Sequence, residues 1–405
     1  TPTSGSSHIE LVHPDGRWIR VVNFWSDAPE EYVETIVQGT SAYHLSLLRC
    51  RIDRLGEPQP EHVGGVRLID HIHLGGAVPS SVLWEILCDN GLRTEFVDFT
   101  TFHDSLTARP DEVKSLDDFL GRYFEVTEEI QSSPSAASVS AYQVVAKAYR
   151  RAQVRALELR FNPQKRMRHG LHTMDAIILA VMQGLERASL HYGVATGIIL
   201  SLGRDLPLEA NWQIIEAAIK WRSRGSLNGA NGVVGIDMAG PESRALELDK
   251  SWMGEVAAMM GKARQAGLKI TYHVGESEAT GPAGMRRVIE AIHPDRIGHG
   301  IELRHAEGKE KEALVTMLRE EAICLEICPT VNLVTRVIPD YACIATFVRS
   351  LAENGIAYCV NTDNPYLIHT NLQREYDVIG AELGGDAATL LAIGTEHAEN
   401  HRFLR

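Results

Sequence analysis

The chain has 405 residues, with 40 Lys and Arg against 53 Asp and Glu, a formal net charge of -13 and 44% hydrophobic residues. That composition describes a globular protein with a sizeable core and argues against disorder or a fibrous repeat. The negative field repels phosphate backbones, so no nucleic-acid partner is expected, and no apolar run is long enough to suggest a membrane span. In chain order, the start TPTSGSS lacks the basic-then-apolar pattern of a signal peptide. Residues 8–13 and 18–24 flank a turn containing Asp15-Gly16 and predict a β-hairpin. A helix is expected over 29–55, with Glu30, Glu31 and Glu34 in its early turns, followed by a Gly/Pro linker at 56–60. These elements make up an N-terminal extension, residues 1–62, to which no chemistry attaches.

From about residue 66 short apolar β-type runs alternate with amphipathic stretches. The runs fall at 66–74, 154–161, 195–202, 233–239, 268–274, 296–300, 322–328 and 357–361. Helical patterns lie between them at 173–191, 208–224 and 314–321, and a longer helical insert spans about 79–151. Eight strands alternating with helices predict an α/β chain whose residues 63–405 form a (β/α)8 TIM barrel, with an open doubly wound sheet as the alternative. Six cysteines without a paired CxxC read as reduced, mostly buried thiols in a cytoplasmic protein.

In such a barrel the chemistry sits at the C-terminal strand ends. His71 and His73 end the first run, His273 and Glu276 the fifth, His299 the sixth and Asp363 the eighth. Residues two apart on a strand point the same way, so His71 and His73 can face one ion. With His273 and Asp363 they offer three nitrogens and one oxygen, a donor set suited to a catalytic Zn2+ with a position left for water.

The motifs His71-Ile72-His73-Leu74, 157–163, 235–240, His273-Val274-Gly275-Glu276, 296–300, 326–332 and Asn361-Thr362-Asp363-Asn364-Pro365 together resemble the adenosine deaminase family, in its order, over about 66–365. The resemblance implies one zinc ion per chain on His71, His73, His273 and Asp363. It implies that Glu276 protonates the ring nitrogen beside the attacked carbon, that His299 orients the hydroxide, and that the Gly240 N–H contacts another ring nitrogen. The implied activity is hydrolytic deamination, with release of ammonia, of adenosine or a related small aminopurine. A homo-oligomer is left open.

Two positions depart from the family pattern. Asn364 stands where a second Asp is usual; it can still donate to a ring nitrogen but cannot accept a proton. Gly75 stands where an acidic residue often holds a sugar hydroxyl. Both departures turn attention to the substrate rather than the reaction, and His73, Gly75, Gly240 and Asn364 form the expected substrate contacts. The alternatives are a deaminase of another amino-substituted ring or a catalytically impaired nucleoside-binding homologue. A cytidine-deaminase-type site is excluded, because His305-Ala306-Glu307 and His397-Ala398-Glu399 lack a following P-C-x-x-C. A lysine-bridged two-metal site is disfavoured, since Lys269 falls at the start of its strand.

Overall fold

The computed structural model describes residues 8–12, 18–22, 67–90, 96, 98–168, 170–222 and 230–404. The chain divides into two compact units, 1–59 and 60–405, three residues before the boundary read from the sequence. In the first unit β1 (His8–Val12) and β2 (Trp18–Val22) pair antiparallel, His8 opposite Val22 and Val12 opposite Trp18, as the hairpin pattern predicts. The helix expected over 29–55 lies outside the described residues.

The second unit is a (β/α)8 barrel. Its strands are β3 (Arg67–His73), β4 (Val154–Phe161), β5 (Ala195–Gly203), β6 (Ala230–Ala239), β7 (Lys269–Val274), β8 (Arg296–His299), β9 (Cys324–Ile327) and β10 (Tyr358–Val360). They pair in parallel in chain order. A parallel bridge from Ile72 to Asp363, with His73 N–H donating to the Asp363 carbonyl at 2.9 Å and Asp363 N–H to that of His71 at 3.0 Å, brings the last strand's end back to the first. Strands covered on both faces read as continuous apolar runs, which is why all eight were legible: Leu157, Leu159, Ile198, Leu200, Ile270 and Leu325 are fully buried.

The helices are set by local signals. Ser133 caps Pro134–Ala152 by accepting from Ala136 N–H, and Thr173 caps Met174–Tyr192 by accepting from Ala176 N–H. The insert between β3 and β4 is helical as expected, in several pieces that include Ser80–Asp89, Leu116–Phe119, a π-turn at Leu120–Phe124 and Glu125–Ile130. The helix predicted from 314 starts earlier, at Gly308, because its first turns carry Lys309, Glu310, Lys311 and Glu312 and no apolar stripe. Toward the C-terminus Gly384, at φ +57°, separates Leu372–Leu383 from Ala387–His401, so a helical run of 30 residues is two shorter helices. Cys324, Cys328 and Cys359 are buried free thiols, whereas Cys88 is exposed and Cys343 partly so, in keeping with mostly buried thiols among the described residues.

The barrel interior is more polar than the apolar runs suggest. Arg296 meets Glu158 at 2.7 Å and Glu326 at 2.6 Å; Arg160 bonds Glu326 and stands 3.7 Å from Asp237, all without solvent exposure. Beneath this network the C-terminal residues Phe403 and Leu404 cover the strand starts. Both donate backbone N–H groups to Glu158, and the Phe403 ring centre lies 3.7 Å from the Arg296 guanidinium carbon. Gly235 and Gly197 permit this approach, since a Cβ on either would fall 2.6 Å from Phe403 or Leu404.

Candidate active site

The strand ends gather the residues singled out from sequence. The Nε2 atoms of His71, His73 and His273 lie 3.1–3.2 Å from one another, and Asp363 Oδ1 lies 3.5 Å from those of both His71 and His73. All four side chains are nearly or wholly buried. His71 Nδ1 faces Glu326 Oε2 at 3.0 Å, and His273 Nδ1 faces Asp237 Oδ1 at 2.9 Å. At His273 the hydrogen bond to Asp237 holds the proton on Nδ1, and the carboxylate beside His71 favours the same tautomer, which leaves the Nε2 lone pairs pointing into the cluster. Burial, reinforced by the charge of Arg160, pushes the His71 and His273 pKa values well below their usual range; His73 is lowered mainly by burial and then by His273.

Neutral rings with converging lone pairs repel one another unless a cation lies between them. Two nitrogens about 2.0–2.1 Å from a zinc ion are about 3.3 Å apart at a tetrahedral angle, close to the separations here. The donor set therefore fits a metal ion with one coordinating carboxylate.

Glu276 and His299 stand beside this cluster. His299 Nε2 is 3.4 Å from Glu276 Oε1 and 4.0 Å from Asp363 Oδ2, and its Nδ1 is 3.2 Å from Asn332 Nδ2. An amide donating to Nδ1 puts the ring proton on Nε2, facing the two carboxyls. Burial and then the Asp363 charge push Glu276 well above the usual carboxyl range, which favours its protonated form. His299 and Asp363 adopt left-handed backbone at φ +64° and +57°, which is strained for residues with a Cβ and recurs where side chains are aimed at a site.

Asn364 donates to Asp363 Oδ1 at 2.7 Å, so one amide hydrogen is already committed, and its Oδ1 lies against Gly76. At Gly75 a Cβ would fall 2.6 Å from the Phe124 ring and 3.2 Å from Glu128 Cγ; the space an acidic side chain would need is filled from the helical insert. His73, Gly240, His273, Glu276, Asp363 and Asn364 line a cavity of about 200 Å³ together with Leu116, Phe119, Leu120 and Phe124, whose ring stands edge-on to His73 at 5.9 Å between centroids. That volume is below the roughly 300–1,000 Å³ of drug-sized pockets and suits a compact ring.

Several residues reached by no sequence argument support this geometry. Arg204 bonds the carbonyl oxygens of Gly240, at 2.9 Å, and His273, and is held by Glu247 at 2.6 Å, which ties the ends of β6 and β7 together. Glu242 accepts from Ser277 N–H at 2.7 Å, Ser277 Oγ at 2.8 Å and Thr280 Oγ1 at 3.0 Å, fixing the turn that follows Glu276. Arg204 and Glu242 lie in loops with no periodic signal, where only their burial distinguishes them.

A family model described as adenosine deaminase matches residues 68–400. An aminodeoxyfutalosine deaminase of Acidothermus cellulolyticus is 31% identical over 332 residues, covering 80% of this chain and 84% of its own. An adenosine deaminase of Clostridium perfringens is 26% identical over 308 residues, covering 76% and 85%. Among solved structures, an Arabidopsis N6-mAMP deaminase has a TM-score of 0.68 at 24% identity, covering 84% of this chain and 94% of that one. A zinc-bound amidohydrolase from Burkholderia ambifaria has a TM-score of 0.68 at 19% identity, covering 84% and 86%. Both structures share the fold.

Proposed function

The chain belongs to the adenosine deaminase family of hydrolytic deaminases, and from that premise we propose that it removes the exocyclic amino group of an aminopurine-type ring using one zinc ion. The observation that carries the reading is the convergence of three imidazoles and a carboxylate on one point beside a buried carboxyl whose protonated form burial favours. His71, His73, His273 and Asp363 would hold the ion. A zinc ion bound there lowers the pKa of a coordinated water toward neutrality.

The remaining work belongs to the protein's own groups. Glu276 gives its proton to the ring nitrogen next to the attacked carbon, so the ring can accept electrons as aromaticity is lost. His299, with its proton on Nε2, orients the incoming oxygen toward that carbon. The Gly240 N–H contacts a second ring nitrogen and fixes the face presented. The C–N bond then breaks, ammonia leaves and a carbonyl remains. Water supplies the oxygen, so no redox partner is needed.

We assign this activity to residues 63–405 and place the protein in the cytoplasm, a reading supported by its five free cysteines among the described residues. The test is ammonia release from a panel of aminopurine bases, nucleosides, nucleotides and aminopterins, on protein of measured metal content. Release from an aminopurine compound, abolished by a chelator and restored by zinc, is the expected result. A zinc-loaded protein silent on the whole panel would overturn the reading.

A further inference from the structure

In the wall of the same cavity, one carboxyl oxygen lacks a hydrogen-bond partner. Glu128 is 4% exposed, it lines the cavity, and its Oε2 meets no donor. Its other oxygen is 3.6 Å from Arg166, which lies behind it and is held by Gln131 at 3.3 Å. Gln131 in turn donates to the Gly75 carbonyl at 3.1 Å, so Glu128 is built onto the strand end that carries His71 and His73. A buried carboxyl oxygen with no donor is costly to leave unmatched, and Glu128 shares the wall of one cavity with His73, Glu276 and Asp363.

The surroundings narrow what the missing donor can be. Asp117, Glu125 and Asp205 also line the cavity, and the one cation lining it among the described residues, Lys165, is held by Asp205 at 2.8 Å. An anionic substituent would be placed among carboxylates, with no uncommitted cation among the described lining residues to receive it. A neutral hydroxyl supplies the donor without that penalty, and a carboxyl in either protonation state keeps an oxygen that can accept from it.

Taking the deaminase reading as given, we propose that Glu128 selects the substrate by its substituent, accepting a hydrogen bond from a hydroxyl of an uncharged sugar-like group and rejecting phosphorylated rings. The Glu128 side chain packs against Gly75, where a Cβ would fall 3.2 Å from its Cγ, so the helical insert supplies a group that the strand end lacks.

The experiment compares binding of adenine, adenosine and AMP to the zinc-loaded full-length protein by calorimetry, for the wild type, Glu128→Gln and Glu128→Ala, with thermal unfolding to establish that each is folded. The wild type is expected to bind adenosine at least tenfold more tightly than either adenine or AMP. Glu128→Ala should weaken adenosine about 10- to 100-fold and leave adenine within twofold. Glu128→Gln, which keeps an acceptor but removes the charge, should hold adenosine better than Glu128→Ala does and bind AMP several-fold more tightly than the wild type. The same selectivity should appear in KM, with kcat little changed. Wild-type protein that binds AMP as tightly as adenosine, or variants that lose adenosine and adenine equally, would overturn the role of Glu128. Binding in the expected order without ammonia release would instead overturn the deaminase reading, so the two fail separately.

Discussion

Replacing Asp237 with Asn isolates the electrostatic support beneath His273. The carboxylate stands 2.9 Å from His273 Nδ1, accepts from the Ser201 hydroxyl at 3.3 Å and lies 3.7 Å from Arg160, all buried. Asn keeps an oxygen that can accept from Nδ1–H and removes only the charge. A hydrogen bond to an ionised group contributes about 1.5–3 kcal/mol, against about 0.5–1.5 kcal/mol between neutral partners. The difference, about 1–1.5 kcal/mol, corresponds to a five- to tenfold loss of metal affinity, roughly, if it is carried through the basicity of Nε2. Ala removes the acceptor as well and leaves the ring free to turn, so its loss should approach 100-fold, on the order seen for such supporting groups. Zinc affinity is read by competition with a chelator of known strength, and circular dichroism and thermal unfolding establish that each variant is folded. The expected result is graded, Ala beyond Asn. If both variants keep zinc within twofold of the wild type, Asp237 does not act through His273, and the assignment of His273 as a ligand loses its support.

Three other perturbations bear on separate parts of the site. Glu276→Gln keeps the shape but has no proton to give, so kcat/KM should fall about 10²–10⁴-fold. In the wild type kcat/KM should fall on the alkaline side as Glu276 loses its proton, and that limb should be missing from the variant's residual activity; an unchanged profile would refute the assignment. Asn364→Asp would set a second carboxyl at the 2.7 Å contact now made by the amide, and two carboxyls that close cannot both ionise. The alkaline decline of turnover should therefore begin at lower pH than in the wild type and cost about a further tenfold there, and a profile that coincides with the wild type's would refute the contact. Glu375 concerns stability: burial, opposed by its bonds to Thr370 and Thr330, pushes its carboxyl up from 4.5 to about 7. The folded state then holds a proton that the unfolded state releases, so this contribution is full below about pH 4.5, lost as pH rises through about 7, and worth about 3 kcal/mol. Glu375→Gln should flatten that part of the stability curve in chemical unfolding between pH 5 and 8, and parallel curves for variant and wild type would refute it.

How much of this was legible depends on whether a feature is local. The eight strands were found because a parallel sheet buried on both faces leaves an uninterrupted apolar run, and the site residues because each falls where such a run stops. Charged residues inside the runs were harder to read. Glu158, Arg160, Arg296 and Glu326 each read as parts of motifs, yet their pairing across the barrel is set by strand order and register. The plug formed by Phe403 and Leu404 was not legible either, because Gly197 and Gly235, which admit it, lie some 170–210 residues away and signal only that something approaches.

Gly75 shows the same limit at the site itself. As one letter in a motif it marks a missing acidic side chain. In the fold, the backbone it leaves bare is met by Phe124 and by the Glu128 side chain, both from a segment of short helices and a π-turn that carries no motif. The loss of a group at the strand end and the arrival of another from the insert are therefore one structural event, because a Cβ at residue 75 would displace the ring that now packs there. The chemistry at the strand ends can then stay fixed while the insert changes which substituent is tolerated. Reactivity is carried by β3, β7, β8 and the end of β10, whose spacing the barrel enforces; selectivity is carried by the insert between β3 and β4, which the barrel does not constrain.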